Sequence, residues 1–244
     1  PLPELLGPDA PPVTVRQALT MTSGLVLPDD PPKTGAQTMD DEGFSPFGPM
    51  ARLHAWGISS IMPELRVDGT LAGQFHYQSA NTALLGLAVE RAYGRPLPDL
   101  LSAFIWQPAG AADAQWRLYP AGEGVSAYCC LYARPLDWLR VGRFILDNGT
   151  AAAPFLPDDL WRAFILSDLD PALRRQGAYG FQIRHDVLDR DGQGVGGPFA
   201  YFTGLYGQMT YLLPDADAVV VRFGDGAQLL HSTIYDLFPP AEAE

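Results

Sequence analysis

A tyrosine and a serine stand two residues apart in the sequence Tyr77-Gln78-Ser79, just before a helical pattern. A free phenol has a pKa near 10, so Tyr77 could relay a proton at neutral pH only where a nearby positive charge lowers that pKa. A serine hydroxyl is too weak a nucleophile without an adjacent base. The structural alternatives are a core tyrosine at position 77 and a helix cap at Ser79, a capping role for which Asn81 competes.

The sequence lacks a base for such a serine. The single lysine is Lys33, and Asp30 stands three positions before it, so the chain holds no Ser-x-x-Lys pair. It also has no Gly-x-Ser-x-Gly turn and no phosphate-binding glycine loop. The four histidines show no metal-ligand spacing. We therefore expect no metal and no cofactor.

Composition excludes several classes of partner. The 244 residues carry a net charge of −12 and 47% hydrophobic residues. Such an acidic chain is unsuited to nucleic acid or anionic membranes, which need clustered Lys or Arg. No apolar run reaches the roughly 20 residues that span a bilayer.

Cys129 and Cys130 are adjacent, and we expect two buried thiols there because a vicinal disulfide is strained.

Periodicity predicts helices first and strands afterwards. Thr14 is a candidate N-cap and Gly24 a candidate stop for a first short helix. A Pro- and Gly-rich stretch over 26–50 predicts a long loop. Further helices are predicted over 81–93, 97–104, 134–148, 158–166 and 228–237. Strands are predicted over 179–183, 199–203, 208–213 and 218–223. This order favours an α+β fold in one domain, with a helical part over about 13–170 and a sheet with a C-terminal helix over about 178–240.

Four segments, in order, resemble the β-lactamase-related serine hydrolases, and within them the branch of 6-aminohexanoate-dimer hydrolases and family VIII-type esterases. The first segment, 13–24, ends in Thr22-Ser23-Gly24, and the second is Tyr77-Gln78-Ser79 with its helix. The third runs from Ala127 to Trp138, and the fourth from Thr203 to Gln208 with the strand Val219–Arg222.

The resemblance implies a β-lactamase/transpeptidase-like fold and an acyl-enzyme mechanism for ester or amide bonds. It implies that Tyr77 is the proton relay and that Ser79 binds the substrate amide or the lysine. It also implies that five further residues form the oxyanion hole and line the substrate pocket. They are Phe202, Thr203, Gly204, Tyr206 and Gly207.

Two features depart from the family pattern. The nucleophile helix and the strands before it would lie upstream of residue 13, and the chain begins at Pro1 without a methionine. We therefore expect a longer parent protein and an inactive chain by itself. The usual third Lys-Thr-Gly box would fall at Phe199-Ala200-Tyr201, so it is not retained. Lys33-Thr34-Gly35 has that spelling but the wrong order along the chain, and we interpret it as chance.

Two other readings stay open at this point. A catalytically dead relative could bind a peptide or another small ligand without turnover. A chain without the family's N-terminal strands could also expose a sheet edge and fold poorly alone. The sequence predicts a small-molecule ester, amide or peptide as the partner, and it gives neither the substrate's identity, nor the compartment, nor the oligomeric state.

Overall fold

The structure, a computed structural model, describes residues 12–27, 48–120, 124–166, 179–185, 199–226 and 230–238. Most of the predicted loop over 26–50, with Lys33-Thr34-Gly35, lies outside these residues. The chain divides into two compact units, of which unit 1 is residues 1–101 with 114–132 and unit 2 is residues 102–113 with 133–244. The single domain of the sequence analysis stays a prediction.

Unit 1 is mainly helical. Its helices are α1 (Val15–Leu19), α2 (Pro49–Trp56), α3 (Ser79–Tyr93) and α4 (Leu97–Leu101). Its short strands are β1 (Leu25–Val26), β2 (Arg66–Val67), β3 (Gln115–Trp116) and β4 (Leu131–Tyr132), paired antiparallel as β1 with β2 and β3 with β4. Its core consists of apolar residues from α2, α3 and the segments around β1 and β2, namely Leu25, Leu27, Leu53, Ile61, Leu65, Ala80, Ala83 and Leu84.

Unit 2 contains a five-stranded antiparallel sheet. Its helices are α5 (Pro135–Leu146), α6 (Asp158–Leu166) and α7 (His231–Leu237). A small hairpin joins β5 (Gly149–Thr150) and β6 (Ala153–Pro154). The sheet has the order β11-β10-β9-β8-β7 and is built from β7 (Tyr179–Gly180), β8 (Ile183–His185), β9 (Ala200–Gly204), β10 (Gln208–Leu213) and β11 (Ala218–Arg222).

Strand β10 is buried on both faces over Met209–Leu213. Met209, Tyr211 and Leu213 share one face and pack in a cluster with Ile234 of α7. The opposite face meets α5 at Gly142, where an added Cβ would lie 3.1 Å from Thr210 Cγ2 and 3.3 Å from Leu212 Cδ2. Gly142 therefore allows α5 to lie close against the sheet.

The α+β prediction is confirmed, and most helices lie where periodicity placed them. Helix α6 has the predicted bounds, and α5 lies inside the predicted 134–148. Helix α3 ends at Tyr93, as predicted, and the left-handed φ of 62° at Gly94 closes it. The predicted helix over 97–104 is α4 followed by a π-helical turn, Ser102–Trp106. Helix α7 begins at His231 rather than at 228.

The single strand predicted over 179–183 is wrong. Phe181 and Gln182 have φ values of 54° and 66°, in the left-handed region that reverses the chain. Strands β7 and β8 consequently form a tight hairpin, in which Tyr179 pairs with Arg184. Apolar composition alone does not distinguish one strand from two that are joined by such a turn.

The prediction of two thiols at positions 129 and 130 is also wrong. Cys129 and Cys130 form a disulfide, and the peptide bond between them is cis. Their Cα atoms are 3.1 Å apart. The sequence reasoning had set a disulfide aside because a bond between adjacent cysteines is strained.

Candidate functional site

Backbone hydrogen bonds to the turn after α1 hold the segment that leads into Tyr77. The N–H of His76 donates to Met21 O at 2.8 Å, and the N–H of Gly73 donates to Thr22 O at 2.9 Å. The side chain of Tyr77 is half-buried. Tyr77 therefore follows a fixed piece of backbone and directly precedes α3.

Helix α1, which leads into this turn, has a well-formed N-terminal cap. The Thr14 side chain accepts from the Gln17 N–H and the Gln17 side chain accepts from the Thr14 N–H, which is a complete capping box. Thr14 is thus the predicted N-cap. The predicted stop at Gly24 is wrong, because α1 ends with Thr20 as its C-cap and Met21 has a φ of 56°.

Gly24 instead allows two segments of the chain to lie close together. Its φ is 73°, and a Cβ added there would lie 2.6 Å from the carbonyl oxygen of Asp68. Its own carbonyl accepts the Asp68 N–H at 2.8 Å. Only glycine fits a left-handed residue so close to a neighbouring backbone.

A buried side-chain pair ties the same turn to the first turn of α3. Ser23 Oγ donates to Asn81 Oδ1 at 2.6 Å and accepts from the Leu25 N–H at 3.1 Å. Asn81 Nδ2 donates to Gln78 O at 3.2 Å. Ser23 and Asn81 are both almost fully buried, so the pair fixes the start of α3, and with it Tyr77, to the core.

Neither Ser79 nor Asn81 caps α3, in contrast to the structural alternative considered from sequence. The N-cap is Gln78, whose side chain accepts from the Ala80 N–H at 3.3 Å. Gln78 is extended, with φ −144° and ψ 118°, which lets its longer side chain fold back onto the helix start. Ser79 is the first helical residue and is half-buried.

The other five predicted site residues lie in unit 2, at the end of β9 and in the turn that follows. Phe202 is half-buried, Thr203 and Gly204 are exposed, and Gly207 is buried. Tyr206 is 59% exposed and has a φ of 61°. The structure thus places Tyr77 and Ser79 together in unit 1 and the remaining five together in unit 2, and it describes each group separately.

Two side chains from β10 and β11 hold this turn. Arg222 Nη1 donates to Gly207 O at 2.5 Å and to Gly226 O at 2.9 Å. Gln208 Nε2 donates to Gly224 O at 2.6 Å, while its Oε1 accepts the Gly224 N–H at 3.2 Å. Arg222 therefore bonds the turn at the Gly207 carbonyl, and Gln208, directly after the turn, bonds both backbone groups of Gly224 in the segment after β11.

Sequence reasoning missed a polar cluster in unit 1. His54 Nε2 contacts Arg117 Nη1, and His54 Nδ1 lies 3.3 Å from the Tyr128 hydroxyl. Burial, and then the charge of Arg117, lower the pKa of His54. Burial, followed by the nearby Tyr119, raises the pKa of Tyr128, while Ser126 and Arg117 act in the opposite direction. These residues are 63 and 74 positions apart in sequence, so no local spacing could have revealed the cluster.

Within the described ranges, no group of three or more His, Cys, Asp or Glu side chains could hold a metal ion. Over the same residues, no helix is long and apolar enough to cross a membrane.

Comparison with known families identifies the chain's relatives. Residues 1–233 match the family described as Beta-lactamase. The chain belongs to the Beta-lactamase family. The resemblance found in four sequence segments is thereby confirmed.

Particular known proteins are also similar to this chain. The 6-aminohexanoate-dimer hydrolase of Paenarthrobacter ureafaciens is 29% identical over 165 residues, which are 66% of this chain and 42% of that protein. A candidate 6-aminohexanoate-dimer hydrolase from Bacillus anthracis is a structural neighbour with TM-score 0.70 and 18% identity, covering 93% of this chain and 60% of that one. A penicillin binding protein from Bacillus halodurans has TM-score 0.63 and 19% identity, covering 98% and 78%.

These structural likenesses confirm the β-lactamase/transpeptidase-like fold. The chain spans 42% of the length of the curated relative and 60% of the length of the first neighbour.

The buried carboxylate of Asp137 has a structural role at the start of α5. Asp137, in the third resembling segment, is fully buried and accepts from Arg134 Nε at 2.9 Å, Arg140 Nη1 at 2.7 Å and the Ala112 N–H at 3.0 Å. The hydrogen bond from Ala112, followed by the arginines, lowers the pKa of Asp137 to about 2. A carboxylate that is bonded in this way anchors the start of α5.

Proposed function

We propose that this protein is a serine hydrolase that cleaves ester or amide bonds through an acyl-enzyme. The observation that carries the proposal is the family match over residues 1–233. The similarity to a protein named 6-aminohexanoate-dimer hydrolase supports hydrolysis as the reaction. The anchored position of Tyr77 before α3 supports its role in that reaction.

The nucleophile and its base would come from residues outside these 244, because Lys33 has Asp30 three positions before it. The serine oxygen would attack the substrate carbonyl while the lysine amine accepts its proton. The lysine would pass that proton on through the phenol of Tyr77 to the leaving alcohol or amine, so that the carbonyl–heteroatom bond breaks and both side chains return to their starting forms. Water would release the acyl group by the same route in reverse.

The remaining site residues receive substrate roles in this proposal. Ser79 would hydrogen-bond the substrate amide or the lysine. The backbone of Phe202, Thr203 and Gly204 would offer an N–H to the developing oxyanion, and Tyr206 and Gly207 would wall the acyl group. The exposure of Thr203, Gly204 and Tyr206 supports this assignment, because backbone that binds a substrate has to be reachable.

Turnover of a chromogenic short-chain ester tests the proposal. The 244-residue chain alone is expected to be inactive, and the same chain extended by its natural upstream residues is expected to hydrolyse the ester. In the extended protein, Tyr77→Phe should lower kcat by roughly 100- to 10,000-fold, the usual contribution of a positioned proton-transfer group. Tyr93→Phe is the matched control, because Tyr93 is an exposed tyrosine at the far end of the same helix.

Three results would overturn the proposal. The first is an extended protein without any Ser-x-x-Lys pair, and the second is full activity in Tyr77→Phe. The third is ligand binding without turnover by the extended protein, which would identify a catalytically dead binding relative instead.

A further inference from the structure

Buried and half-buried side chains alternate along the segment that carries Tyr77. His76 and Gln78 are buried, whereas Tyr77 and Ser79 are half-buried. Side chains alternate in this way across an extended backbone, and Gln78 has the extended φ of −144° and ψ of 118°. Tyr77 and Ser79, the two predicted site residues of unit 1, therefore leave the chain on one side, while the Gln78 side chain between them lies in the core.

Asn81 holds the carbonyl group of Gln78 with two hydrogen bonds. Its backbone N–H donates to Gln78 O at 3.0 Å, and its side-chain Nδ2 donates to the same oxygen at 3.2 Å. Asn81 is fully buried, so both donors are sheltered from water. The peptide group that joins Gln78 to Ser79 consequently has a fixed direction.

Ser23 sets the orientation of the Asn81 side-chain amide. A carbonyl oxygen can only accept, so the amide nitrogen of Asn81 has to face Gln78 O and its oxygen is left for Ser23. Ser23 Oγ accepts the Leu25 N–H at 3.1 Å and donates its own proton to Asn81 Oδ1 at 2.6 Å. One buried hydroxyl in the turn after α1 thus controls the amide that holds Gln78.

We propose that Ser23 and Asn81 are positioning residues of the hydrolase, which act through Gln78 to keep the Tyr77 phenol and the Ser79 hydroxyl at their working positions. This inference rests on the proposed function and deepens it by giving these two buried residues an effect on turnover rather than on substrate affinity. A misplacement of about 1 Å at a reacting group can lower turnover about 100-fold.

Steady-state turnover of p-nitrophenyl acetate, by the chain extended with its natural upstream residues, is the first readout. Ser23→Ala removes the hydroxyl, and Asn81→Leu replaces the amide by an apolar group of similar size. Each variant should lower kcat by roughly 10- to 100-fold and leave KM within about twofold, because the segment is misplaced while substrate binding persists. Unchanged kcat in Ser23→Ala would overturn the inference.

Thr22→Val is the matched control. Thr22 Oγ1 lies 2.9 Å from Thr20 Oγ1, so this variant also deletes one hydroxyl from a buried pair, one residue away from Ser23. Both members of that pair belong to α1 and the turn after it, whereas Ser23 reaches α3. Thr22→Val should therefore keep its kcat within about twofold. Equal losses of kcat in Thr22→Val and Ser23→Ala would show a general loosening of the turn and reject the positioning role.

Amide hydrogen exchange in the same extended protein requires no turnover. Ser23→Ala should speed exchange of the His76 and Asn81 amides about tenfold, because the buried Asn81 oxygen loses its donor, and Thr22→Val should not. Equal exchange in Ser23→Ala and the unmodified protein would overturn the inference.

The two readouts separate this inference from the proposed function. If the unmodified extended protein does not turn over the ester, the proposed function fails, and the exchange rates still show whether the Ser23–Asn81 pair holds the segment of Tyr77. If the unmodified protein is active and Ser23→Ala matches it, the positioning role fails and the hydrolase proposal stands. Should Ser23→Ala not fold, as judged by circular dichroism, the same measurements on Asn81→Leu decide.

Discussion

The two groups of predicted site residues are held in place by different means. Tyr77 follows a backbone segment fixed to the turn after α1, and the buried Ser23–Asn81 pair links positions 58 residues apart. The turn carrying Tyr206 is instead a local hairpin connection, bound by Arg222 and Gln208 through partly exposed hydrogen bonds. The difference teaches that the position of Tyr77 depends on core packing, whereas the exposed turn depends on surface hydrogen bonds that can be removed one at a time.

Gly24→Val should have the largest effect, by breaking the anchor in unit 1. The new side chain would meet the Asp68 carbonyl at a left-handed backbone position, and we expect a loss of about 3 kcal/mol in the free energy of unfolding. Urea unfolding followed by tryptophan fluorescence measures it. Gly69→Val is the control, because an added Cβ on Gly69 meets nothing within 4 Å. Equal losses in the two variants would contradict the close approach at Gly24.

Acid should weaken unit 2 through His231. Its imidazole is buried, with Nδ1 3.1 Å from the Tyr211 hydroxyl, and burial lowers its pKa to about 4. The unfolded chain, with a pKa near 6.5, binds more protons between those values, so stability falls as pH drops from about 6.5 to 4. Urea unfolding at pH 7 and pH 4.5 should differ by about 2 kcal/mol from this group. His231→Asn should remove that part of the difference, and an unchanged difference would refute the assignment.

Arg222→Leu should have the smallest effect and should act locally. Loss of the bonds to Gly207 and Gly226 should speed amide exchange at residues 206–208 about fivefold, the equivalent of one net hydrogen bond. Arg66→Leu is matched, because Arg66 in unit 1 also donates to two carbonyls, those of Pro63 and Leu65. That variant should leave exchange at 206–208 unchanged. Faster exchange at residues 206–208 in both variants would show that the effect of Arg222→Leu is not local to this turn.

Sequence reasoning succeeded where structure is set by local pattern. Periodicity predicted the end of α3 at Tyr93, and strands β10 and β11 lie within the ranges predicted for them, on either side of a short turn. It failed where the chain does something uncommon: Phe181 at a positive φ splits a predicted strand, and Cys129 and Cys130 form a disulfide.

For the site, the sequence supplied Tyr77 through a motif and had no means to find the polar cluster of unit 1. His54, Arg117 and Tyr128 come from distant positions and meet only through the packing of unit 1. Distances between such residues follow from tertiary contacts, which no single-sequence pattern encodes.

The glycine in the middle of α3 limits how this protein could be engineered. Replacing a helical glycine by alanine normally raises helix stability by about 1 kcal/mol. At Gly86 the added methyl group would lie 2.5 Å from the Cβ of Ala127 and would push that segment away from the helix. A redesign guided by helix propensity alone would therefore exchange a stiffer α3 for a displaced Tyr128.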